Sequence, residues 1–105
     1  MIEIKPNNGI EVMECTDGQA CLGYALFRIT ERTMEIIDAV LFEPDARMID
    51  GLLRSVLNAG LHRGCEEAFC IRETLFPALS AIGLATEGNK CTVALQTLFK
   101  KCTNC

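Results

Sequence analysis

Tryptophan is absent from this sequence of 105 residues, which contains one tyrosine, one histidine and three prolines. No apolar run approaches the roughly 20 residues that a membrane-spanning helix needs, and the amino terminus lacks the basic-then-apolar pattern of a secretory signal. There is also no block of Lys or Arg, and the formal net charge is −4. These absences disfavour nucleic acid, anionic membrane surfaces and polyphosphates as partners, and we expect a cytoplasmic protein.

The single histidine and the seven cysteines limit the chemistry further. His62 has no Ser or Cys plainly beside it, so a nucleophilic dyad is unsupported. Seven is an odd number, and with no export signal we expect free thiols that mostly act as small core residues. Half of the residues are hydrophobic and 23% are charged, which suits one folded domain over residues 1–105.

Alternating apolar residues and tight-turn signals predict an antiparallel meander in the first part of the chain. A short strand over Ile2–Ile4 comes first, and a turn over Pro6–Gly9 follows it. The next strands are predicted over Ile10–Cys15, Ala20–Ile29 and Met34–Phe42. The last of these is mostly apolar and is therefore placed at the centre of the sheet.

After this meander the apolar period changes from two to that of a helix. Apolar residues recur at helical spacing from Ile49 to Leu61, and they form one face of an amphipathic helix. Asp45 is placed to cap its start and Gly64 lies just beyond its end. The helix leads to a strand over Glu67–Arg72, which makes a crossover unit with parallel strands.

The remaining elements are shorter. A second helix is predicted over Leu75–Ile82, with Thr74 as its cap and Gly83 as its end. A strand over Lys90–Leu95 and a helix over Gln96–Lys101 complete the chain. The fold class is therefore α/β with a mixed (α+β) sheet, in which the meander is followed by β-α-β-α and a short terminal strand and helix.

This order of elements resembles the GNAT superfamily of acyl-CoA N-acyltransferases over roughly Ile10–Leu84. Ile37–Arg47 is similar to the family's central strand and the entry to its cofactor helix, and Leu52–Gly64 to the rest of that helix. Leu79–Leu84 looks like the closing helix. The resemblance implies a single GNAT-like domain that uses acetyl-CoA and transfers an acyl group to an amine or a protein acceptor.

The same resemblance assigns the cofactor residues. The family's central strand offers backbone groups to the pantetheine arm, and a Gln/Arg-x-x-Gly-x-Gly/Ala loop at the helix start holds the pyrophosphate through backbone N–H groups and the helix dipole. Arg47 fits the first position of that loop, but Asp50 stands where a glycine is expected. The residues implied in cofactor binding are Ala39, Val40, Leu41, Phe42, Arg47, Met48, Ile49, Asp50 and Gly51.

Acidic residues crowd the start of this helix. Glu43, Asp45 and Asp50 stand there against Arg47 alone, and carboxylates at a helix start satisfy its dipole and repel phosphates. The alternative to a cofactor loop is therefore an ordinary helix with a cap and first-turn acids. The family's helices between its first two strands are also missing, because only Pro6–Gly9 separates these strands.

The catalytic residues are implied by the resemblance as well. A carboxylate on the central strand often serves the family as general base, which points to Glu35 and Asp38. Asp38 lies among apolar residues, where partial burial would raise its pKa to a useful value; a wet strand face is the alternative. The family often has a tyrosine acid on its closing helix, and the matching position here is near Leu79, which cannot donate a proton.

Three functions remain open. The first is an acetyl-CoA-dependent N-acyltransferase, and the second is a catalytically inactive binding or regulatory module with the same fold. The third is a metal or thiol site built on Cys102 and Cys105, with Cys91 and His62 as further candidates, but a lone Cys-x-x-Cys pair is half of a zinc site. We therefore expect no metal, no nucleic acid and no membrane partner. The sequence leaves the oligomeric state open, and a homodimer is compatible with it.

Overall fold

The protein is described by a computed structural model that covers residues 9–43 and 45–99. An initial meander of three strands is followed by helices interspersed with three further strands. The elements are β1 (Ile10–Asp17), β2 (Ala20–Thr30), β3 (Thr33–Leu41), α1 (Ala46–His62), β4 (Glu67–Cys70), a 3₁₀ turn (Glu73–Leu75), α2 (Phe76–Ile82), β5 (Ala85–Glu87), β6 (Lys90–Ala94) and α3 (Leu95–Phe99).

The strands form one six-stranded mixed sheet in the order β1-β2-β3-β4-β6-β5. β3 and β4 are parallel because α1 carries the chain back between them, and every other neighbouring pair is antiparallel. The α/β class, the meander and the parallel crossover are confirmed.

One face of the sheet holds the core. Ala25 and Phe27 on β2, together with Met34 and Ile36 on β3, are buried under α1, as the period of two along a strand requires. Because all three helices contribute to the same buried cluster, we call this the helical face. Among the described residues no helix covers the other face, which we call the open face, and Val12 and Phe42 are exposed there.

Helix α1 forms where the apolar spacing predicts it. Its buried side is made of leucine, valine and glycine, and Asp45 caps its first turn. Arg63 is the last cap residue, and Gly64 follows with a φ of 90°, a conformation that glycine adopts without strain. No helix in the described ranges is long and apolar enough to cross a membrane.

The structure differs from the prediction in several details. Thr74 does not cap α2, because a 3₁₀ turn already includes it and Leu75 is the residue before the helix. β4 ends at Cys70 instead of Arg72, and β6 ends at Ala94. β5 was not predicted: its three exposed residues have no apolar alternation, and a turn at Gly88 pairs them with β6. The predicted strand Ile2–Ile4 lies outside the described residues.

Candidate functional site

A β-bulge interrupts β3 at Ile37. Phe27 of β2 lies opposite Ile36 and Leu26 lies opposite Asp38, so Ile37 is an extra residue with no opposite partner on β2. The extra residue reverses which side chains point to the core. Before the bulge the even-numbered Ile36 is buried, and after it the odd-numbered Ala39 and Leu41 pack against the core. Asp38 is thereby turned away from α1.

The two parallel strands part at the same place. The last register pair between them joins Ile36 to Cys70, and β4 ends there while β3 continues to Leu41. The edge of β3 from residue 37 onward therefore faces a gap instead of β4. Bulges beside functional sites re-aim side chains and end strand pairing in this manner.

Backbone groups of β3 are directed into this gap. Phe42 N–H donates to Leu22 O on β2 at 2.9 Å. Because successive residues of a strand direct their backbone groups to alternate sides, Leu41 and Ala39 direct theirs toward the gap. The Ala39 N–H already donates to the Asp38 carboxylate at 2.9 Å, which leaves Leu41 as the more accessible of the two.

A cavity lies on each side of the gap. The helix-side cavity, about 380 Å³, is lined by Ala39 and Leu41 of β3, by the first turn of α1 and by Thr74. The open-face cavity, about 400 Å³, is lined by Glu35, Ile37 and the segment from Ile71 to Thr74. Thr74 lines both cavities. The gap in the sheet therefore stands between two spaces on opposite faces.

Arg72 and Asp38 sit at the edge of the gap. The Arg72 guanidinium donates through Nε to Ile37 O at 3.3 Å and lies 3.7 Å from the Asp38 carboxylate. The Asp38 side chain is 29% exposed, so a molecule in solvent can reach it. Glu35 is paired with a different arginine. Arg28, which lies opposite it on β2, donates a hydrogen bond to its carboxylate at 2.9 Å.

The start of α1 is closed by its own cap. Asp45 Oδ1 accepts hydrogen bonds from the N–H groups of Arg47 at 2.9 Å and Met48 at 3.2 Å. Asp50 pairs with Arg54 one turn later, at 2.8 Å, and Ile49 lines the helix-side cavity. Gly51 is exposed, with open space where a Cβ would stand.

Position 79, which corresponds to the family's tyrosine acid, cannot supply a general acid in this structure. Leu79 is fully buried in α2, so no proton donor at this site would face either cavity. Cys70 is buried opposite Cys91, and burial is the main cause that raises the pKa of the Cys70 thiol. A thiol with a raised pKa is a poor nucleophile near neutral pH.

Cys102 and Cys105 lie outside the described residues. Within the described ranges, no three His, Cys, Asp or Glu side chains are grouped so that they could hold a metal ion. Cys91 is buried in β6 and His62 ends α1.

Sequence reasoning missed Arg72 and assigned Thr74 only as a cap. Both follow the carboxyl end of a buried strand in a crossover unit, which is where α/β folds place ligand-binding residues. The position after the strand could therefore have indicated Arg72 and Thr74 as candidate site residues from the sequence alone. The two cavities that share Thr74 arise from the tertiary structure and could not be predicted in this way.

Comparison with known proteins identifies the fold. No protein-family model and no curated protein matches the chain. Among solved structures, the chain is similar to an acetyltransferase assigned to the GNAT family from Desulfovibrio desulfuricans, with a TM-score of 0.70, 15% identity, and coverage of 83% of this chain and 70% of that one. The similarity is equally high for the aminoglycoside 6'-N-acetyltransferase from Enterococcus faecium, with a TM-score of 0.72, 9% identity, and coverage of 86% and 77%.

A third similar structure contains a ligand. PaiA N-acetyltransferase from Thermoplasma acidophilum, solved in complex with coenzyme A, matches with a TM-score of 0.62 and 16% identity over 82% of this chain and 60% of that one. The chain therefore has the GNAT fold, as its resemblance implied. Identities this low establish the fold and leave the activity to be argued from the site.

Proposed function

We propose that this domain binds the pantetheine arm of an acyl thioester such as acetyl-CoA in the helix-side cavity and transfers the acyl group to an amine in the open-face cavity. The observation that carries this proposal is the gap beyond Ile36 and Cys70, which has a cavity on each side and Thr74 in the lining of both. A similar structure, that of PaiA, holds coenzyme A, which supports the choice of ligand.

The chain offers a surface for the arm along the end of β3. The proposed binding segment is Ala39–Phe42, within which Leu41 directs its backbone groups toward the gap. Val40 and Phe42 direct theirs toward β2 instead, so their role is to fix the strand that carries Leu41. The thioester would supply an activated acyl carbon, and Leu41, Ile49 and Leu75 would exclude water from the arm.

Asp38 is the proposed general base. Its carboxylate lies at the edge of the gap, is partly exposed and is held by Ala39 N–H and by Arg72. We propose that it takes a proton from an amine in the neighbouring open-face cavity as the amine nitrogen attacks the thioester carbon. The C–S bond then breaks, and the thiolate leaves and is protonated by solvent. Glu35 lines that cavity but is paired with Arg28, and we propose that it attracts the cationic amine without accepting its proton.

The transfer is tested by thiol release from acetyl-CoA in the presence of a panel of primary amines. Asp38→Asn keeps an oxygen that accepts from Ala39 N–H but removes the base, and we expect the rate to fall by about 10²- to 10⁴-fold with binding retained. The matched control is Glu14→Gln, which removes the charge of an exposed carboxylate elsewhere in the meander, on β1. No thiol release with any amine, or an unchanged rate in Asp38→Asn, contradicts the proposed chemistry.

A second candidate is a binding or regulatory module that holds the thioester without transferring its acyl group. Two observations favour it: Leu79 is fully buried where the family often has a tyrosine acid, and the start of α1 is closed by Asp45. Acetyl-CoA binding without thiol release in the presence of any amine is the outcome that this candidate predicts.

The oligomeric state and the cellular location remain predictions from the sequence. Both cavities are built from one chain, so the proposed chemistry does not require the homodimer. A cytoplasmic location also remains a proposal, as expected from the sequence.

A further inference from the structure

We infer that the start of α1 does not bind the diphosphate of CoA, so that the site recognises the pantetheine arm and its acyl group alone. The inference rests on the proposed function and names its substrate class: acyl-pantetheine thioesters, for which the nucleotide part adds no affinity. The residues around the helix-side cavity fit the arm, but those at the mouth of the cavity do not fit a diphosphate.

The backbone donors that a diphosphate would need are already used. A helix leaves the N–H groups of its cap and first three residues free of intrahelical bonds. In α1 the N–H groups of Arg47 and Met48 both donate to Asp45 Oδ1, at 2.9 and 3.2 Å. Ile49 N–H donates to Asp45 O at 3.0 Å and begins the regular helix. Of the first four residues of α1, only Ala46 has an N–H group that takes no part in these three hydrogen bonds.

The charge at the mouth also opposes an anion. Asp45 lines both the helix-side cavity and a neighbouring cavity that Glu43 and Met48 line as well. Arg47 is the nearby cation without an ion-pair partner among the described residues, while Asp50 and Arg54 neutralise each other. Two carboxylates against one guanidinium leave the mouth negative, and the carboxylate of Asp45 already occupies the positive end of the helix dipole.

The glycine of the family's loop offers no replacement. Gly51 lies beyond the first turn of α1, and regular intrahelical bonding begins at Ile49, so its N–H belongs to the helix ladder. It is exposed on the helix surface, and the helix-side cavity is lined by Ala46 and Ile49 instead.

Calorimetric titration of the full chain with acetyl-pantetheine and with acetyl-CoA tests the inference. We expect acetyl-pantetheine to bind at least as tightly as acetyl-CoA. Higher salt should tighten acetyl-CoA binding, because it screens a repulsion, and should leave acetyl-pantetheine unchanged. If acetyl-CoA binds about tenfold or more tightly than acetyl-pantetheine, and loses affinity in salt, this inference is overturned while the proposed function stands. Absence of binding by both ligands overturns the proposed function and this inference with it.

Two substitutions at Asp45 separate charge from hydrogen bonding. Asp45→Asn keeps an equivalent cap and removes the charge, and Asp45→Gly frees both N–H groups at small cost to the helix. Each is expected to tighten acetyl-CoA binding by about two- to fivefold relative to acetyl-pantetheine binding, because only acetyl-CoA carries the diphosphate. Asp17→Asn, which removes the same charge at the end of β1, is the control and should change neither affinity.

Arg47 provides the opposite test. Arg47→Ala is expected to change acetyl-CoA binding by less than about twofold, since a single exposed guanidinium gains little from an ion in water. A loss of about tenfold for acetyl-CoA that spares acetyl-pantetheine would mean that Arg47 holds the diphosphate, and the inference would be wrong.

Discussion

Ile36 of β3 lies opposite Cys70 of β4 in the last parallel pair of the sheet, and the extra residue of the bulge follows immediately. The opening of the sheet and the reversal of side-chain direction thus arise at one point of the backbone. This coincidence places Asp38 on the open face and Leu41 on the helical face of the same gap. A single irregularity of β3 therefore separates the proposed base from the proposed thioester.

The wall of the gap depends on close approach of β2 to β3 at Gly23. A Cβ at this position would collide with Val40 O and lie 2.9 Å from Leu41 Cα, so backbone must move. We expect Gly23→Ala to lower the free energy of unfolding by about 1–3 kcal/mol, as overpacking does, and to weaken thioester binding. Urea unfolding and calorimetry measure the two effects.

The matched control for Gly23 is Gly51 in α1, where a new Cβ meets nothing within 4 Å. Gly51→Ala should raise the stability by about 0.5–1 kcal/mol through helix propensity and leave binding unchanged. Equal effects of the two substitutions would contradict the packing that we describe around the end of β3.

Restoring the family's tyrosine at position 79 should fail. Leu79 is fully buried, so Leu79→Tyr adds volume to a filled core and brings a hydroxyl that lacks a partner. We expect a loss of about 2 kcal/mol or more in the free energy of unfolding and no faster thiol release. Leu79→Met conserves the volume and should cost less than about 1.5 kcal/mol. A stable Leu79→Tyr variant with faster turnover would show that position 79 faces the gap.

The fold follows from the sequence where local signals are strong. Asp45 and the apolar spacing from Ile49 to Leu61 predict α1, because a cap and a 3.6-residue period act within a few turns. The alternation in β2 puts Ala25 and Phe27 on one face for a similar reason, and the structure shows that this face is the buried one. Neither prediction required knowledge of which residues pair across neighbouring strands.

The site was less accessible to the same reasoning. The bulge at Ile37 cannot be recognised in Ile36-Ile37-Asp38-Ala39, because two adjacent apolar residues suit either direction of alternation, and the pairing with β2 decides between them. Arg72, which follows β4, contacts Ile37 in the middle of β3, 35 residues away along the chain. The resemblance to a family implied Ala39, Leu41 and Ile49 as cofactor residues, and all three line the helix-side cavity. Arg72 and Thr74 were not among the implied site residues.

The ion pair between β1 and the end of α1 gives a pH dependence. Arg63 donates to Glu11 at 2.6 and 2.7 Å, and this hydrogen bond is the main cause that lowers the pKa of Glu11 below its ordinary 4.5. Because the folded pKa is lowered, the stabilisation is fully present above pH 4.5 and is lost as the pH falls through the folded value.

We therefore expect Glu11→Gln to lower the stability at neutral pH, by less than about 1 kcal/mol because the Glu11 side chain is 39% exposed. The difference from the unsubstituted protein should close in acid and in high salt. Glu14→Gln on the same strand is the control. A difference of the same size at every pH would mean that the ion pair does not stabilise the fold.

The cysteines should differ in reactivity according to burial. Cys21 is exposed, whereas Cys65 and Cys70 are buried, and burial raises the pKa of both buried thiols. Since the thiolate is the reactive form, iodoacetamide should modify Cys21 first and reach the other two only after unfolding. Peptide mass spectrometry follows each site separately. Labelling of Cys70 as fast as Cys21 in native buffer would contradict a closed junction between β4 and β6.

The most direct test of the proposed thioester site is a titration of ¹⁵N-labelled protein with acetyl-pantetheine, followed residue by residue through the backbone amide resonances. We predict that Leu41, Ile49, Thr74 and Leu75 shift in a saturable manner, while amides of β1 and β5 do not. Shifts that are absent at saturating ligand, or that cluster on β1 and β5 instead, would contradict a thioester site between β3 and β4.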